Sequence, residues 1–259
     1  MRYFLSNGAS IKRLEAPSVY HMASDELYEL DDEGASALIA AAGPDGAEFP
    51  DGEFMRYCLG EGILAPDGPR GPHPPIMQSP TPSLRYLELQ VTDRCNLRCG
   101  HCYLGNGGRT DLAPERIRRV LREFEGMQGL RVMLTGGEPL MHPHFDEINR
   151  MLSEFGLRFV LFTNGTLCDR KRLSLLNAHE IQVSIDGMRQ AHDSLRGAGS
   201  YDKAMAAIRE ALGMGMQVSV STMVHRGNLG EFDAIDRLFV SLGIRDWTVD
   251  VPVIRGALA

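Results

Sequence analysis

From residue 85 onward the chain switches between two hydrophobic periods, and this alternation limits its possible folds more than any other feature. Six short runs rich in β-branched and aromatic residues read as strands: RYLELQVT (85–92), LRVMLT (130–135), RFVLFT (158–163), IQVSI (181–185), MQVSVSTMV (216–224) and WTVDV (247–251). Between them the spacing becomes helical. Ile117, Val120, Leu121 and Phe124 recur at i, i+3, i+4 and i+7, as do Ile148, Met151, Leu152 and Phe155. Tyr201, Ala204, Met205, Ile208 and Leu212 form a third stripe with Ser200 as its expected N-cap, and Asn228 with Glu231 reads as a capping box before Phe232, Ile235, Phe239 and Leu242. Segment 169–178 carries the weakest helical pattern. Strands joined by helical crossovers pair in parallel, with the helices outside. The expected class is therefore α/β, as an open sheet or a partial (β/α)6 barrel.

Ahead of this region lies a proline-rich seam. Seven of the fourteen prolines fall between Pro66 and Pro82, which excludes helix and sheet interior and reads as an extended, stiff linker. It divides the sequence into a module at 1–65, a linker at 66–83 and a large domain at 84–259. In the module, SVYHMA and ELYELD read as a hairpin about Ser24-Asp25. Ala35–Ala42 reads as a helix stopped by Gly43, and Asp51 as the cap of a second helix through Phe54, Tyr57 and Cys58 that ends at Gly60. GILAP then reads as a short strand. Together they make a small α+β, winged-helix-like unit, too small for a deep active site.

Charge and cysteine usage exclude several functions. The net charge is −7, and residues 1–65 carry −8 of it, from twelve Asp or Glu against four Lys or Arg. No basic patch marks a nucleic-acid binder. No run approaches the roughly 20 apolar residues that span a bilayer, and no secretion signal opens the chain. Five cysteines, three of them crowded together, do not resemble an extracellular disulfide framework, so a reducing cytoplasm is expected.

Each unusual polar cluster of the large domain directly follows a strand. The three cysteines of CNLRCGHC (95–102) follow the first, TGGEP (135–139) the second, TNGT (163–166) the third, and SIDG (184–187) closes the fourth. Chemistry gathers at the carboxyl ends of parallel strands, so these clusters describe one rim. Thiolates suit zinc and iron–sulfur clusters alike. Zinc held structurally needs a fourth donor, for which Cys58, Cys168, His142 and His144 remain available. A four-iron cluster held by three thiolates instead leaves one iron open to a small ligand, unlike the usual four-cysteine site.

CNLRCGHC matches the CxxxCxxC signature of radical S-adenosylmethionine (radical SAM) enzymes, with His101 at the usual aromatic position. TGGEP, TNGT, SIDG and HDSLRG (192–197) resemble the SPASM-like branch, whose members often carry C-terminal auxiliary clusters. The resemblance covers residues 84 to about 256. It implies that Cys95, Cys99 and Cys102 hold a 4Fe-4S cluster whose fourth iron is chelated by S-adenosylmethionine (SAM). It further implies that Gly136 and Gly137 let backbone approach the methionine moiety, with Glu138 accepting from its ammonium. Ser184 and Asp186 are assigned to the ribose hydroxyls or the carboxylate, Arg196 to the carboxylate, and Asn164 and His101 to the cofactor rim. A surface ion pair and an Asn-Gly turn are equally available readings of Arg196 and Asn164. One-electron reduction of SAM would give methionine and a 5′-deoxyadenosyl radical that abstracts hydrogen from the substrate. Arg94 and Arg98 would offset the cluster's charge.

Residues 15–66 resemble a PqqD-like peptide-recognition module, through LDDEGASALIAA followed by EFMRYCLGEGIL. That resemblance implies a leader peptide added as a strand to the sheet edge. The expected partners are a precursor peptide and a flavodoxin or ferredoxin-type electron donor, without nucleic acid or membrane. The alternatives are an enzyme acting on a tetrapyrrole precursor, and a non-catalytic zinc or redox-sensing protein. No cysteine follows Cys168, so either the sequence stops short of an auxiliary-cluster extension or the protein works with a single cluster, and Cys58 and Cys168 are expected to be buried, inert thiols.

Overall fold

The computed structural model describes residues 1–67, 76–105, 109–252 and 256. The chain divides into two compact units. One comprises Met1–Leu87, Arg118–Val132 and Ser153–Arg158, the other Glu88–Ile117, Met133–Leu152 and Phe159–Ala259.

The front of the first unit runs β1 (Arg2–Leu5), β2 (Ala9–Arg13), β3 (Pro17–His21), β4 (Glu26–Glu29), α1 (Asp32–Ala41), β5 (Ala47–Glu48), α2 (Glu53–Gly60) and β6 (Leu64–Ala65). An antiparallel sheet has the order β2-β3-β4 and a smaller one the order β5-β1-β6. The hairpin turns at Ser24-Asp25 as expected, with Asp25 at φ +63°. Strands β1 and β2 escape the sequence reading; in β2 the polar residues do not face water, as Ser10 and Lys12 are both buried. Helix α1 starts earlier than expected, where Asp31 Oδ1 accepts from Gly34 N at 2.7 Å. Asp51 does not cap α2. Extended Gly52 takes the N-cap position without a side-chain bond, so the helix begins one residue beyond Asp51's reach. Of the proline-rich seam, residues 68–75 lie outside the described residues. The rest is bonded to the module: Ser79 N donates to Arg13 O at 2.9 Å and Ser83 N to the Glu15 carboxylate at 2.6 Å.

This unit also contains chain from far along the sequence. Leu14, Tyr20, Met22 and Leu130 form one buried cluster. Lys12 Nζ donates to Gly129 O at 2.9 Å. Arg158, 1% exposed, gives its guanidinium to the carbonyls of Met22 and Ala23, and Asp25 accepts from both Tyr20 and Arg131.

The larger domain continues with β7 (Tyr86–Thr92), α3 (Pro114–Gly126), β8 (Arg131–Gly136), α4 (Phe145–Leu152), β9 (Arg158–Thr163), α5 (Arg170–Leu173), β10 (Glu180–Ser184), α6 (Arg189–Arg196), α7 (Ser200–Gly213), β11 (Gln217–Met223), α8 (Phe232–Leu242) and β12 (Trp247–Asp250). The six strands form one sheet in sequence order, from β7 at one edge to β12 at the other. Val183 of β10 pairs in parallel with Thr163 of β9 and Val220 of β11. Continuous winding in one direction makes a partial barrel, whereas a doubly wound sheet reverses its order. Helical stripes supply the packing: Ile117, Leu121, Ile148, Ala204, Ile208 and Ile235 are 0% exposed.

Two caps differ from expectation. Gly199, not Ser200, is the N-cap of α7, and Asp193 serves that end by accepting from Gly199 N and Tyr201 N, both at 2.9 Å. Asn228 and Glu231 do not form a capping box. Asn228 Oδ1 accepts from His225 N, and Glu231 accepts from Met188 N at 2.7 Å, so both side chains brace neighbouring loops. No helix among the described residues is long and apolar enough to cross a membrane.

Burial lowers the Lys12 pKa from 10.5 to about 8, against an opposing attraction from Glu125. Below pH 8 the folded chain bears the cost of a buried ammonium. Between about pH 8 and 10.5 the folded form sheds this proton while the unfolded chain keeps it. Stability should therefore rise with pH across that window, by about 3 kcal/mol in total. Urea denaturation of Lys12→Met against the native chain isolates this term: the substituted protein should lack the rise.

Candidate functional site

The site begins where β7 ends. Thr92 Oγ1 donates to Asp111 Oδ1 at 2.7 Å and accepts from Arg94 N at 3.0 Å. Arg94 Nε meets both Asp111 oxygens, at 3.0 and 2.9 Å, and the main chains of Asp93 and Thr110 bond at 3.1 Å. Residues 93–111 are thereby closed at their base into a loop that carries the cysteines. Inside it Cys102 N donates to Cys99 O at 3.2 Å, and Gly100 N reaches Leu195 O at 2.9 Å. Arg94, expected beside the cluster, is held by Asp111.

The next strand grips this loop from below. Gly137 N donates to Thr92 O at 2.9 Å and Glu138 N to Arg94 O at 2.7 Å. A Cβ at Gly136 would stand 2.3 Å from Thr92 O, and one at Gly137 would stand 2.4 Å from Arg94 O. Such approaches are possible only without a side chain. In the structure, then, the two glycines are required by the Cys loop's own backbone. Glu138 is 0% exposed and accepts from Thr163 Oγ1 at 2.9 Å, Asn164 N at 2.8 Å and Leu140 N at 3.3 Å. Burial pushes its pKa up to about 7 against these donors. Its carboxylate, assigned from sequence to a ligand ammonium, is spent on the chain and joins the ends of β8 and β9.

At the end of β9, Asn164 Nδ2 donates to Asn96 Oδ1 at 3.0 Å and lies 3.9 Å from Cys95 Sγ. Asn96 Nδ2 in turn donates to Thr166 Oγ1 at 2.7 Å. Asn96 was not singled out in the sequence, although its place between two cysteines was the available signal.

Ser184, half-buried, closes β10 opposite Ser221. Asp186 follows and is 0% exposed. Its carboxylate accepts from Arg196 Nε and from Met223 N at 2.8 Å, and it stands 3.9 Å from His101 Nε2. Burial alone would raise this carboxyl; Arg196 outweighs it and holds the pKa below the usual range. Burial and the Arg196 charge likewise lower the His101 pKa. His101 Nδ1 is buried without a hydrogen-bond partner. A second missed contributor is His225, whose Nε2 meets Asp186 O at 3.0 Å.

Cys95, Cys99 and Cys102 are partly exposed, whereas Cys58 and Cys168 are buried. A cleft of about 480 Å³ is lined by Cys95, Cys102, Arg94, Arg98, Gly137 and Met141 among others, and Cys99 lies outside this lining. Burial raises the Cys99 pKa to about 11, and the Arg196 charge opposes that rise. Two of the other donors considered for a fourth position, Cys168 and His142, are engaged elsewhere. Cys168 Sγ lies 3.8 Å from Thr163 Oγ1, and His142 is tied to Leu112 O at 3.1 Å and to His144 N at 3.0 Å. Among the described residues no three His, Cys, Asp or Glu side chains converge on a single metal ion.

Residues 89–239 match the family model described as the radical SAM superfamily. The chain belongs to the radical SAM superfamily. Members of this family use a 4Fe-4S cluster and SAM. The radical SAM chain is 29% identical over 199 residues to an AdoMet-dependent heme synthase of Oleidesulfovibrio alaskensis, covering 72% of this chain and 50% of that protein. It is 30% identical over 154 residues to the mycofactocin maturase MftC of Mycobacterium tuberculosis, covering 57% and 39%. It therefore spans about half or less of the length of these curated relatives. In fold it is similar to Streptococcus suis SuiB bound to precursor peptide SuiA, with a TM-score of 0.71 at 15% identity, covering 98% of this chain and 64% of SuiB. Against SuiB bound to S-adenosylmethionine the TM-score is 0.68 at 14% identity, covering 96% and 63%.

Because the glycine contacts are with main chain, Gly137→Ala should displace the Cys loop. We expect a loss of about 1–3 kcal/mol in stability together with lowered iron content after reconstitution. Gly213→Ala, with nothing within 4 Å of its added Cβ, should leave iron content unchanged.

Proposed function

We propose that the protein is a radical SAM enzyme that reductively cleaves SAM and abstracts hydrogen from a ribosomally made peptide. The observation that carries the cofactor reading is the Cys loop, closed at its base by Thr92, Arg94 and Asp111 with three partly exposed thiols. A 4Fe-4S cluster at these thiols supplies the single electron that opens the sulfonium of SAM.

The chain's own groups bind and orient. Cys95, Cys99 and Cys102 would hold the cluster. Arg196 offers its guanidinium fork to the SAM carboxylate. His101 meets the cofactor through its unpartnered Nδ1, and Ser184 offers a hydroxyl at the rim. Asn164 and Asn96 hold the loop against the end of β9. Arg98 and Arg109, at the cleft, suit an acidic one-electron carrier of the flavodoxin or ferredoxin type.

Support for a peptide substrate comes from the front module. The SuiB likeness covers 98% of this chain, so it extends over residues 1–65 as well as the barrel. Strand β4 is a free edge of its sheet, and an extended peptide extends such an edge with main-chain hydrogen bonds. Tyr28 of β4 faces Tyr57 of α2 edge-on at 5.9 Å, and Glu26 and Glu29 on β4 are exposed. This pairing of aromatic and acidic groups suits a cationic, partly apolar leader. A second reading, a small tetrapyrrole-like substrate, is favoured by the likeness to the heme synthase over 72% of the chain.

Removing residues 1–65 would uncover Leu130 and Arg158, so substitutions test the module better than deletion. Anaerobically reconstituted protein should hold about four irons per chain and form 5′-deoxyadenosine with dithionite and SAM, and Cys99→Ala should abolish that product. Glu26→Lys with Glu29→Lys should spare product formation and weaken binding of a synthetic cationic, partly apolar leader peptide. Stoichiometric zinc would contradict the cofactor reading. Undiminished peptide affinity in the doubly substituted protein would contradict the peptide reading.

A further inference from the structure

Asp186 holds a carboxylate with no exposed surface, on the rim that carries the cysteines, and every group around it serves to fix it. Its main chain is held on both sides: the carbonyl accepts from His225 Nε2 at 3.0 Å and Asn228 Nδ2 at 3.1 Å, and the amide donates to His192 Nδ1 at 3.1 Å. One carboxylate oxygen accepts from Met223 N at 2.8 Å, at the end of β11, and the other accepts from Arg196 Nε. An acid so enclosed has no lone pair directed at an open site.

Arg196 is the group whose position this decides. Its side chain is 12% exposed, and among the described residues Asp186 is its hydrogen-bond partner, through Nε. The two Nη groups remain for something else. Main chain brings them to the cluster loop, because Leu195 O receives Gly100 N at 2.9 Å and Gly100 adjoins Cys99. A guanidinium anchored by Nε has a fixed fork, so little rotamer freedom remains to be lost on binding a carboxylate.

We infer that Asp186 is a positioning residue: it aims the Arg196 fork at an anionic group of the bound cofactor and balances the arginine's charge beside Cys99. The inference rests on the SAM-binding reading above. It separates Asp186 from the ligand-contacting role that its motif suggests.

Asp186→Asn keeps the shape and an oxygen for Met223 N, but removes the charge and the anchor of Nε. Arg196→Gln removes the fork. The native protein, both variants and the double variant, each reconstituted with its cluster, are compared by EPR-monitored redox titration and by SAM titration of the reduced spectrum. Each single change should weaken SAM binding by about tenfold, as loss of one charge-assisted contact does. The double variant should be no weaker than Arg196→Gln, because the two act as one unit. The cluster potentials should move in opposite directions: up in Asp186→Asn, where positive charge is gained, and down in Arg196→Gln.

A purely structural Asp186 would not make its loss of SAM affinity disappear in the Arg196→Gln background. Native SAM affinity and native potential in Asp186→Asn would overturn the inference, as would additive losses in the double variant. If Asp186→Asn takes up no cluster, Arg196→Gln decides alone, and an unchanged potential there overturns it. If SAM leaves the native spectrum unaltered, the SAM reading fails, while the opposed potentials still test the pairing.

Discussion

The closure of the 93–111 loop by Thr92, Arg94 and Asp111 is the constraint on which the rest of the site depends. Three thiols in a free loop would have to lose its conformational entropy on binding a cluster. Here the base is pinned by a bidentate ion pair, and the floor is pinned by main-chain bonds from Gly137 and Glu138. The loop's geometry is thus tied to the ends of β7 and β8, which are themselves fixed by the sheet. Glu138 extends the tie to β9 through Thr163 and Asn164, and Asp186 ties the end of β10 to that of β11. Buried carboxylates thus brace β8 to β9 and β10 to β11 at the rim.

These carboxylates have a common physical logic. A buried acid is costly unless donors surround it, so each is placed where several strand-end amides and side chains converge. Glu138 meets mostly neutral donors, and burial prevails, lifting its pKa to about 7. Asp186 meets a guanidinium, and the charge prevails. The contrast gives the two acids different work although both follow strands in similar motifs.

Much of the barrel is legible in the sequence because its signals are local. The strand pattern gives way to the helical one five times, and the strands appear within a residue or so of where their apolar runs lie. RFVLFT matches β9 to the residue. What stays hidden involves contacts distant in sequence. Lys12 and Arg158 look like solvated charges, yet they are buried by carbonyls 117 and 136 residues away. The first unit is assembled from three separated stretches, which no reading of successive segments reveals. Asn228 and Glu231 carry capping signatures but serve tertiary bonds instead, and Ser200 donates to Gly197 O in the turn before its helix. Among the site residues, the cysteines, Asn164 and Arg196 stand at the rim where their motifs place them. The surroundings of Gly137, Glu138 and Asp186 show them supporting the chain, and only the neighbours supplied by the fold reveal that use.

The central claim is that three thiols leave one iron corner for the amino and carboxylate groups of SAM. Electron–nuclear double resonance on the reduced, reconstituted protein with ¹⁵N- and ¹⁷O-labelled SAM tests it most directly. Hyperfine coupling from both labels to the cluster is the predicted result. A spectrum showing neither coupling, from protein with a full complement of iron and saturating SAM, would contradict the account.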